Sequence, residues 1–306
     1  MAPPLDERSA PPPAPVSSLR AADVAVAADL GTSRAAMGKA VDHLPDDTRF
    51  AMGVMVGEVR ADRDLSGLID VALDSPTGRA LVFQTALESC SLDLRGLTTW
   101  AIMAGPGDDG VLDVIVSGQW SRDDGEACLV AALEGTGVRR DGAVSSIAGP
   151  HPRAIAWLDD HTFYLSSRKE ADAAWMAARV ADVTTPAGAL TPLLPEVDLT
   201  ATAWFAGEDL GKKLGLESDG MTGLWGSASV GGSSLSMLAR VHYLDDKTAR
   251  AAQADLQAQI DGLDLNGLAT LSVTIDRPAV LRVDASVPRF IIGIAVSQLQ
   301  AGGLPQ

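Results

Sequence analysis

The chain repeats one order of apolar and polar segments twice. In the first half, apolar stretches typical of strands alternate with Ala-rich stretches of helical periodicity. The predicted strands lie at residues 49–59, 98–104, 111–120, 143–148, 153–158 and 162–166, and the predicted helices at 65–90 and 123–134. Apart from its last strand, this order is that of a β-α-β-β-α-β-β unit.

The second half shows the same order. Strands are predicted at residues 200–205, 224–230, 235–243, 269–275, 279–283 and 289–296, and helices at 209–216 and 246–260. Residues 112–133 align without a gap on residues 235–256, and both segments have an apolar strand, an acidic helix cap and an Ala-rich helix. Trp120 then corresponds to Tyr243, and Asp123 to Asp246.

The repeat predicts an α+β fold of tandem duplicated units, with largely antiparallel sheets and helices packed on one face. It divides the chain into a first unit at residues 49–190 and a second unit at 191–300. Residues 1–20 are a Pro/Ala linker that we expect to be disordered, 21–48 an N-terminal helical segment, and 301–306 a tail.

The predicted topology brings the two cysteines together. In a β-α-β-β-α-β unit the two helices run antiparallel, and Cys90 ends the first helix while Cys128 lies in the first turns of the second. We expect a disulfide between them, which favours an oxidising compartment. The alternative is a pair of buried thiols in the core.

The charge and the hydropathy of the chain argue against nucleic-acid binding and against a transmembrane helix. The formal net charge is −16, without a Lys/Arg cluster to offset it, which argues against binding to nucleic acid. No apolar run reaches the roughly 18 residues of a transmembrane helix, so we expect no such segment. Because Pro/Ala/Ser linkers often follow a processed leader, we expect an extracytoplasmic protein in which Met1 replaces a removed signal.

Segments that partly match catalytic or cofactor motifs have structural interpretations. Gly105, Gly107 and Gly110 fit G-x-G-x-x-G, but a strand follows them instead of the helix that a dinucleotide site requires. Ser229 is followed by Gly231 but lacks the first glycine of a nucleophile elbow. The paired aspartates lie at predicted turns and caps, and no histidine has a metal-ligand spacing. The sequence therefore predicts neither catalytic residues nor a metal or cofactor.

The tryptophans are the remaining candidate binding residues. Aromatic residues make up only 4% of the chain, and most of its tryptophans fall in or beside predicted strands. Trp204, Phe205, Trp225 and Trp100 are candidates for a groove between the units or for a contact surface. The alternative interpretation makes the tryptophans anchors of the core.

The segment Leu44-Pro45-Asp46-Asp47-Thr48, which leads into an apolar strand, resembles the L-P-x-D-T opening of uncharacterised extracytoplasmic proteins of Gram-negative bacteria. These are secreted or lipoprotein-type proteins with two similar α+β units. The resemblance covers about residues 42–300 and implies location and architecture, without an activity.

These observations leave three hypotheses for function. The first is a non-catalytic extracytoplasmic module that binds an unknown protein partner or serves structurally. The second is a binding protein for an apolar small molecule held between the two units. The third is an enzyme with a dispersed site, which the missing motifs make the least favoured.

The disulfide is directly testable. We expect that thiol titration of the denatured, unreduced protein finds no free thiol, and that reduction lowers the free energy of unfolding by roughly 3–4 kcal/mol, because the bridge closes a loop of about 40 residues. Two titratable thiols in the unreduced protein would contradict the pairing of Cys90 with Cys128.

Overall fold

A computed structural model describes residues 30–68, 94–107, 111–150, 152–181, 188–208, 210, 219–262 and 269–300. Its strands are β1 Phe50–Val54, β2 Thr98–Gly105, β3 Asp113–Gly118, β4 Gly137–Asp141, β5 Val144–Ala148, β6 Arg153–Trp157, β7 Thr162–Ser166, β8 Ala203–Gly207, β9 Met221–Gly231, β10 Ser234–Tyr243, β11 Thr270–Arg277 and β12 Val280–Pro288. Its helices are α1 Leu30–Ala40, α2 Val56–Ala61, α3 Leu94–Leu97, α4 Arg122–Ala132, α5 Ala173–Ala181, α6 Asp246–Gly262 and α7 Arg289–Gln300.

The strands form one sheet of twelve, in the order β11-β12-β10-β9-β8-β1-β2-β3-β7-β6-β5-β4. Every neighbouring pair is antiparallel. β1 lies at the centre, with Met52 opposite Met103 of β2 on one side and opposite Phe205 of β8 on the other. The fold is therefore α+β with a large antiparallel sheet, and main-chain pairing joins its two halves.

Local sequence signals account for the hairpins and helix starts. The predicted hairpins correspond to β2–β3, β6–β7 and β9–β10. The cap of α4 differs from expectation, because Ser121 is the N-cap and Asp124 completes a capping box with it. In α6, Asp245 accepts a hydrogen bond from the main-chain nitrogen of Thr248 at 2.7 Å, as a cap should.

Two predicted elements differ in the structure, and one strand was not predicted. The strand predicted at 289–296 is wrong: Pro288 ends β12 and the apolar run that follows forms helix α7. A short apolar run fits a strand and a buried helix equally well, which explains the error. β1 stops at Val54 and α2 follows it, while β4 is exposed, polar and without a strand-like pattern. The predicted helices at 65–90 and 209–216 lie largely outside the described residues.

Helices cover both faces of the sheet, not one face as expected. Ile115 and Val116 are adjacent in β3 and both fully buried, and successive strand residues point to opposite faces. The face of Ile115 packs in a core with Met37 of α1 and Met176 of α5. The face of Val116 packs against α4, and farther along the sheet the same face packs against α6. The prediction that the helices share one face holds for α4 and α6. It is wrong for α1 and α5, which pack on the opposite face because the central strands are apolar on both sides.

A close contact at the centre tightens the junction of the halves. Trp204 of β8 is opposite Gly53 of β1 and is 1% exposed. A β-carbon added at Gly53 would stand 2.4 Å from the indole Cε2 and Nε1. The indole therefore lies against the main chain of β1, which only a glycine permits at this spacing.

Replacing Gly53 tests this packing. We expect Gly53→Ala to lower the free energy of unfolding by about 1–3 kcal/mol, since a buried ring must move to admit the methyl group. Gly231→Ala is the matched strand control, because nothing lies within 4 Å of its added carbon. Denaturant unfolding of the two variants compares them, and equal stabilities would show that Trp204 is not held against Gly53.

Candidate functional site

An open depression of about 400 Å³ lies on the sheet formed by β9, β10, β12 and β11. The side chains that point into it are mostly small hydroxyl groups. They are Ser227, Ser229, Ser236, Leu238, Thr270, Ser272, Asp284 and Ser286.

The strand registers align these side chains in rows across the sheet. Ser236 of β10 is opposite Ser229 of β9 and Ser286 of β12, and Ser286 is opposite Thr270 of β11. Four hydroxyl groups therefore form one row, with neighbouring strands about 4.8 Å apart. The next row runs from Ser227 through Leu238 and Asp284 to Ser272.

The depression is open because the covering layer ends beside it. Residues 188–200 pack over the same face near the centre of the sheet, where Leu190 and Leu194 join the core. Glu196 of this layer pairs with Arg277 at 2.6 Å and with Arg240 at 4.0 Å, which ties the layer to β11 and β10. Beyond this row of ion pairs, Ser236 and Ser272 are exposed.

The charges in the depression neutralise one another. Asp284 accepts two hydrogen bonds from Arg282, at 2.7 and 2.8 Å. The hydrogen bond and the charge of Arg282 hold the pKa of Asp284 below its ordinary value. Asp284 is the one charged residue among the described residues that line the depression, so the surface is polar but close to neutral.

Nucleophilic chemistry would need a base beside these hydroxyl groups. The three histidines that the structure describes make their contacts elsewhere: His43 with the carbonyl of Arg179, His161 with that of Trp120, and His242 with the Thr222 hydroxyl. In the described part of the chain, no three His, Cys, Asp or Glu side chains are grouped to hold a metal ion. The hydroxyl rows present hydrogen-bond donors and acceptors at the surface of the sheet.

The predicted tryptophan positions lie in the core beside the depression. Trp100, Trp204 and Trp225 are 2%, 1% and 1% exposed, and all three belong to the central apolar cluster. Phe205 is half-buried on the opposite face of the sheet. Their burial fits the interpretation as core anchors. Cys128 is buried on α4, and its predicted partner Cys90 lies outside the described residues, so the disulfide stays a prediction.

A buried polar network lies in the first half of the sheet. Asp113 is fully buried and accepts hydrogen bonds from the Tyr164 hydroxyl at 2.9 Å and from Arg168 at 3.1 Å. Burial raises its pKa, against the opposing effect of bonds from Ser166, Arg168 and Tyr164. Arg168 also binds Asp47 through two bonds of 2.8 Å. The network ties the entry of β1 to β3 and β7.

A second network surrounds Glu126 of α4. Its carboxylate accepts hydrogen bonds from Arg122 at 2.9 Å, Arg140 at 2.8 Å and the Ser145 hydroxyl. These bonds fix the helix to β4 and β5. Sequence reasoning missed both networks, because their partners are far apart along the chain, and the i,i+4 spacing of Arg122 and Glu126 was the one local signal.

The two glycine motifs are placed as the sequence indicated. Gly105 ends β2 and the chain continues into β3, so the G-x-G-x-x-G segment connects two antiparallel strands. Ser229 lies inside β9, and a tight turn then leads to β10. Its hydroxyl belongs to the hydroxyl row of the depression, a role that the partial motif did not indicate.

Comparison with known proteins shows similarity of fold alone. No protein-family model matches the chain, and no curated protein matches it in sequence. Among solved structures, it is similar to the protein TP0453: crystal form I superimposes with a TM-score of 0.53 at 11% identity, over 84% of this chain and 96% of that one. Crystal form III gives a TM-score of 0.51 at 8% identity, over 84% and 97%. No helix among the described residues is long and apolar enough to cross a membrane.

The state of Asp284 can be measured. We expect Arg282→Gln to raise the pKa of Asp284 towards its ordinary value of 3.8, as followed by carboxyl carbon NMR. Because the folded pKa lies below the unfolded one, the ion pair stabilises the fold above the ordinary pKa, and this contribution is lost as pH falls through the lowered value. Arg250→Gln removes a charge from α6 and should leave Asp284 unchanged. An unchanged Asp284 pKa in Arg282→Gln would refute the pairing.

Proposed function

We propose that the protein is a non-catalytic, extracytoplasmic binding module, and that the hydroxyl-lined depression is its recognition surface. The row of Ser229, Ser236, Ser286 and Thr270 carries the proposal. A hydroxyl group donates one hydrogen bond and accepts two, so a row of them can match a ligand that presents donors and acceptors in alternation.

The ligand that suits this surface is neutral and rich in hydroxyl groups. An anionic ligand would meet a chain of net charge −16 and an arginine already engaged by Asp284. An apolar ligand would leave the hydroxyl groups without partners, at a cost of about 1–3 kcal/mol for each buried group. A neutral oligosaccharide chain laid across the strands meets neither penalty.

The two alternative functions have less support. A site for an apolar small molecule was expected from the tryptophans, and their indoles lie within the core instead of lining the depression. A dispersed catalytic site would need an acid or base near a nucleophile, and Asp284 is engaged by Arg282.

We also propose that the two halves arose by duplication. On one side of the central pair the strands follow the order β1-β2-β3-β7-β6, and on the other β8-β9-β10-β12-β11. In each half a helix, α4 or α6, follows the third strand of this order. The hairpin β4–β5 would then be an addition to the first unit. The L-P-x-D-T opening and the predicted disulfide support the extracytoplasmic location.

Oligosaccharide titration tests the recognition surface. We expect cellohexaose or maltohexaose to shift the amide NMR signals of β9, β10 and β12. Ser236→Arg places a large side chain in the middle of the row and should weaken binding by at least about tenfold, or ~1.4 kcal/mol. Ala251→Arg adds the same side chain at an exposed position of α6 and should bind normally. Equal affinities in the two variants, or shifts confined to other strands, would contradict the proposal.

A further inference from the structure

The outer edge of β11 has no neighbouring strand among the described residues. β11 spans Thr270–Arg277 with the sequence TLSVTIDR, and its two charged residues lie at one end. Thr, Val and Ile favour extended chain, and a long edge strand without internal Lys or Pro is open to pairing with another chain.

The opposite edge of the sheet is protected. β4 has only five residues, Gly137–Asp141, and exposes Arg139 and Arg140. Arg140 is also held by Asp123 and Glu126 of α4. Charged side chains and short length are the usual means of blocking edge pairing. The two ends of the sheet therefore differ, and of the two edge strands that the structure describes only β11 lacks this protection.

The register identifies the main-chain groups on this edge. Gly231 and Ser234 flank a two-residue turn, which makes them a hydrogen-bonded pair. Along an antiparallel strand the main-chain hydrogen bonds point alternately to the two neighbouring strands, so the odd-numbered residues of β10 bond to β12. The bond from Tyr243 N to Ala279 O at 2.8 Å confirms this. By the same rule, the even-numbered residues of β12 bond to β11, and their partners there are Thr270, Ser272 and Thr274. The amides and carbonyls of Leu271, Val273 and Ile275 consequently point outward.

Helix α6 lies along this edge and supplies polar side chains. Gln253 donates a hydrogen bond to the outward carbonyl of Val273 at 3.2 Å. Gln257 and Asp261 lie one and two turns farther along the same side of the helix. Gln257 donates a hydrogen bond to Asp261 at 2.8 Å. Asp261 lies in the last turn, where the helix dipole disfavours a carboxylate, and no described cation pairs with it.

We propose that the outer edge of β11 is a docking site for an extended segment of a partner protein, which adds as a thirteenth strand and carries a basic residue for Asp261. The outward groups of Leu271, Val273 and Ile275 supply the main-chain bonds. A second copy of this chain fits less well, because it would bring another net charge of −16 and a second Asp261 to the same edge. This inference rests on the sheet edge and not on the ligand of the depression.

A synthetic peptide tests the edge directly. The probe is Lys-Thr-Val-Thr-Val-Thr-Val-Lys, titrated into isotope-labelled protein and followed by residue-resolved amide exchange. We expect the amides of Leu271, Val273 and Ile275 to exchange fast in the free protein and at least tenfold more slowly with peptide, while those of β4 stay unchanged. The same peptide methylated at two consecutive central amide nitrogens cannot pair along either edge, and should bind at least about tenfold more weakly.

Two variants of α6 separate charge recognition from general effects. Asp261→Asn should weaken binding of the lysine peptide severalfold. Asp255→Asn makes the same change on the side of the helix turned away from the edge, and should have no effect. Equal binding of the methylated peptide, or protection of the three amides in the free monomer, would overturn the proposal. Dimerisation seen by sedimentation, with protection of these amides rising with protein concentration, would assign the edge to a second copy and also overturn it.

Discussion

The pairing of β1 with β8 is the contact on which the rest of the architecture depends. It joins two sets of strands into one sheet, from Phe50 opposite Gly207 to Val54 opposite Ala203. Because Gly53 of β1 has no side chain, the indole of Trp204 on β8 packs directly against the main chain of β1. Because this central region is apolar on both faces, it must be covered on both, and the packing of α1 and α5 opposite α4 follows from that requirement.

On the sheet face that carries Ile115, the layer of helices and loops covers the central strands and thins out towards the outer ones. Residues 188–200 and α5 bury the face that carries Ile115 and Tyr164, and the covering layer ends at the ion pairs of Arg240 and Arg277. Past that row the sheet continues as β10, β12 and β11, where hydroxyl groups replace apolar side chains. The exposed rows therefore need no cover for stability, and an open polar surface remains beside a rigid core. The depression is a consequence of the end of this layer, whereas the edge of β11 is unpaired because β11 is the last strand in the order of the sheet.

Partly buried ion pairs hold together segments that are distant in sequence. Arg34 of α1 binds Glu58 of α2 through two bonds of 2.7 Å and also the carbonyl of Thr200 at 2.7 Å. Arg168 joins Asp113 to Asp47, and Arg289 at the start of α7 contacts Asp62. Breaking one partner of such a pair leaves a charge without compensation, so these contacts help to specify one arrangement of the covering segments.

Local signals in the sequence were sufficient for much of the fold. The hairpins β2–β3, β6–β7 and β9–β10, the helices α4 and α6 and the antiparallel character of the sheet follow from short-range periodicity and turn residues. α7 was predicted as a strand because Phe290 to Val296 is a short apolar run without a distinguishing period. β4 was missed because its exposed, charged residues have no apolar alternation.

By itself, the sequence determined the class of fold, several hairpins and helices, and the acidic, aromatic-poor character of the chain, since these depend on composition and on neighbouring residues. Only the tertiary structure decided that the two halves share one sheet, that Trp100, Trp204 and Trp225 are buried, and that four hydroxyl groups form one row. The reason is physical: strand order and register depend on contacts between residues far apart in the chain, and a serine in a strand has the same local pattern whether its face is covered or open.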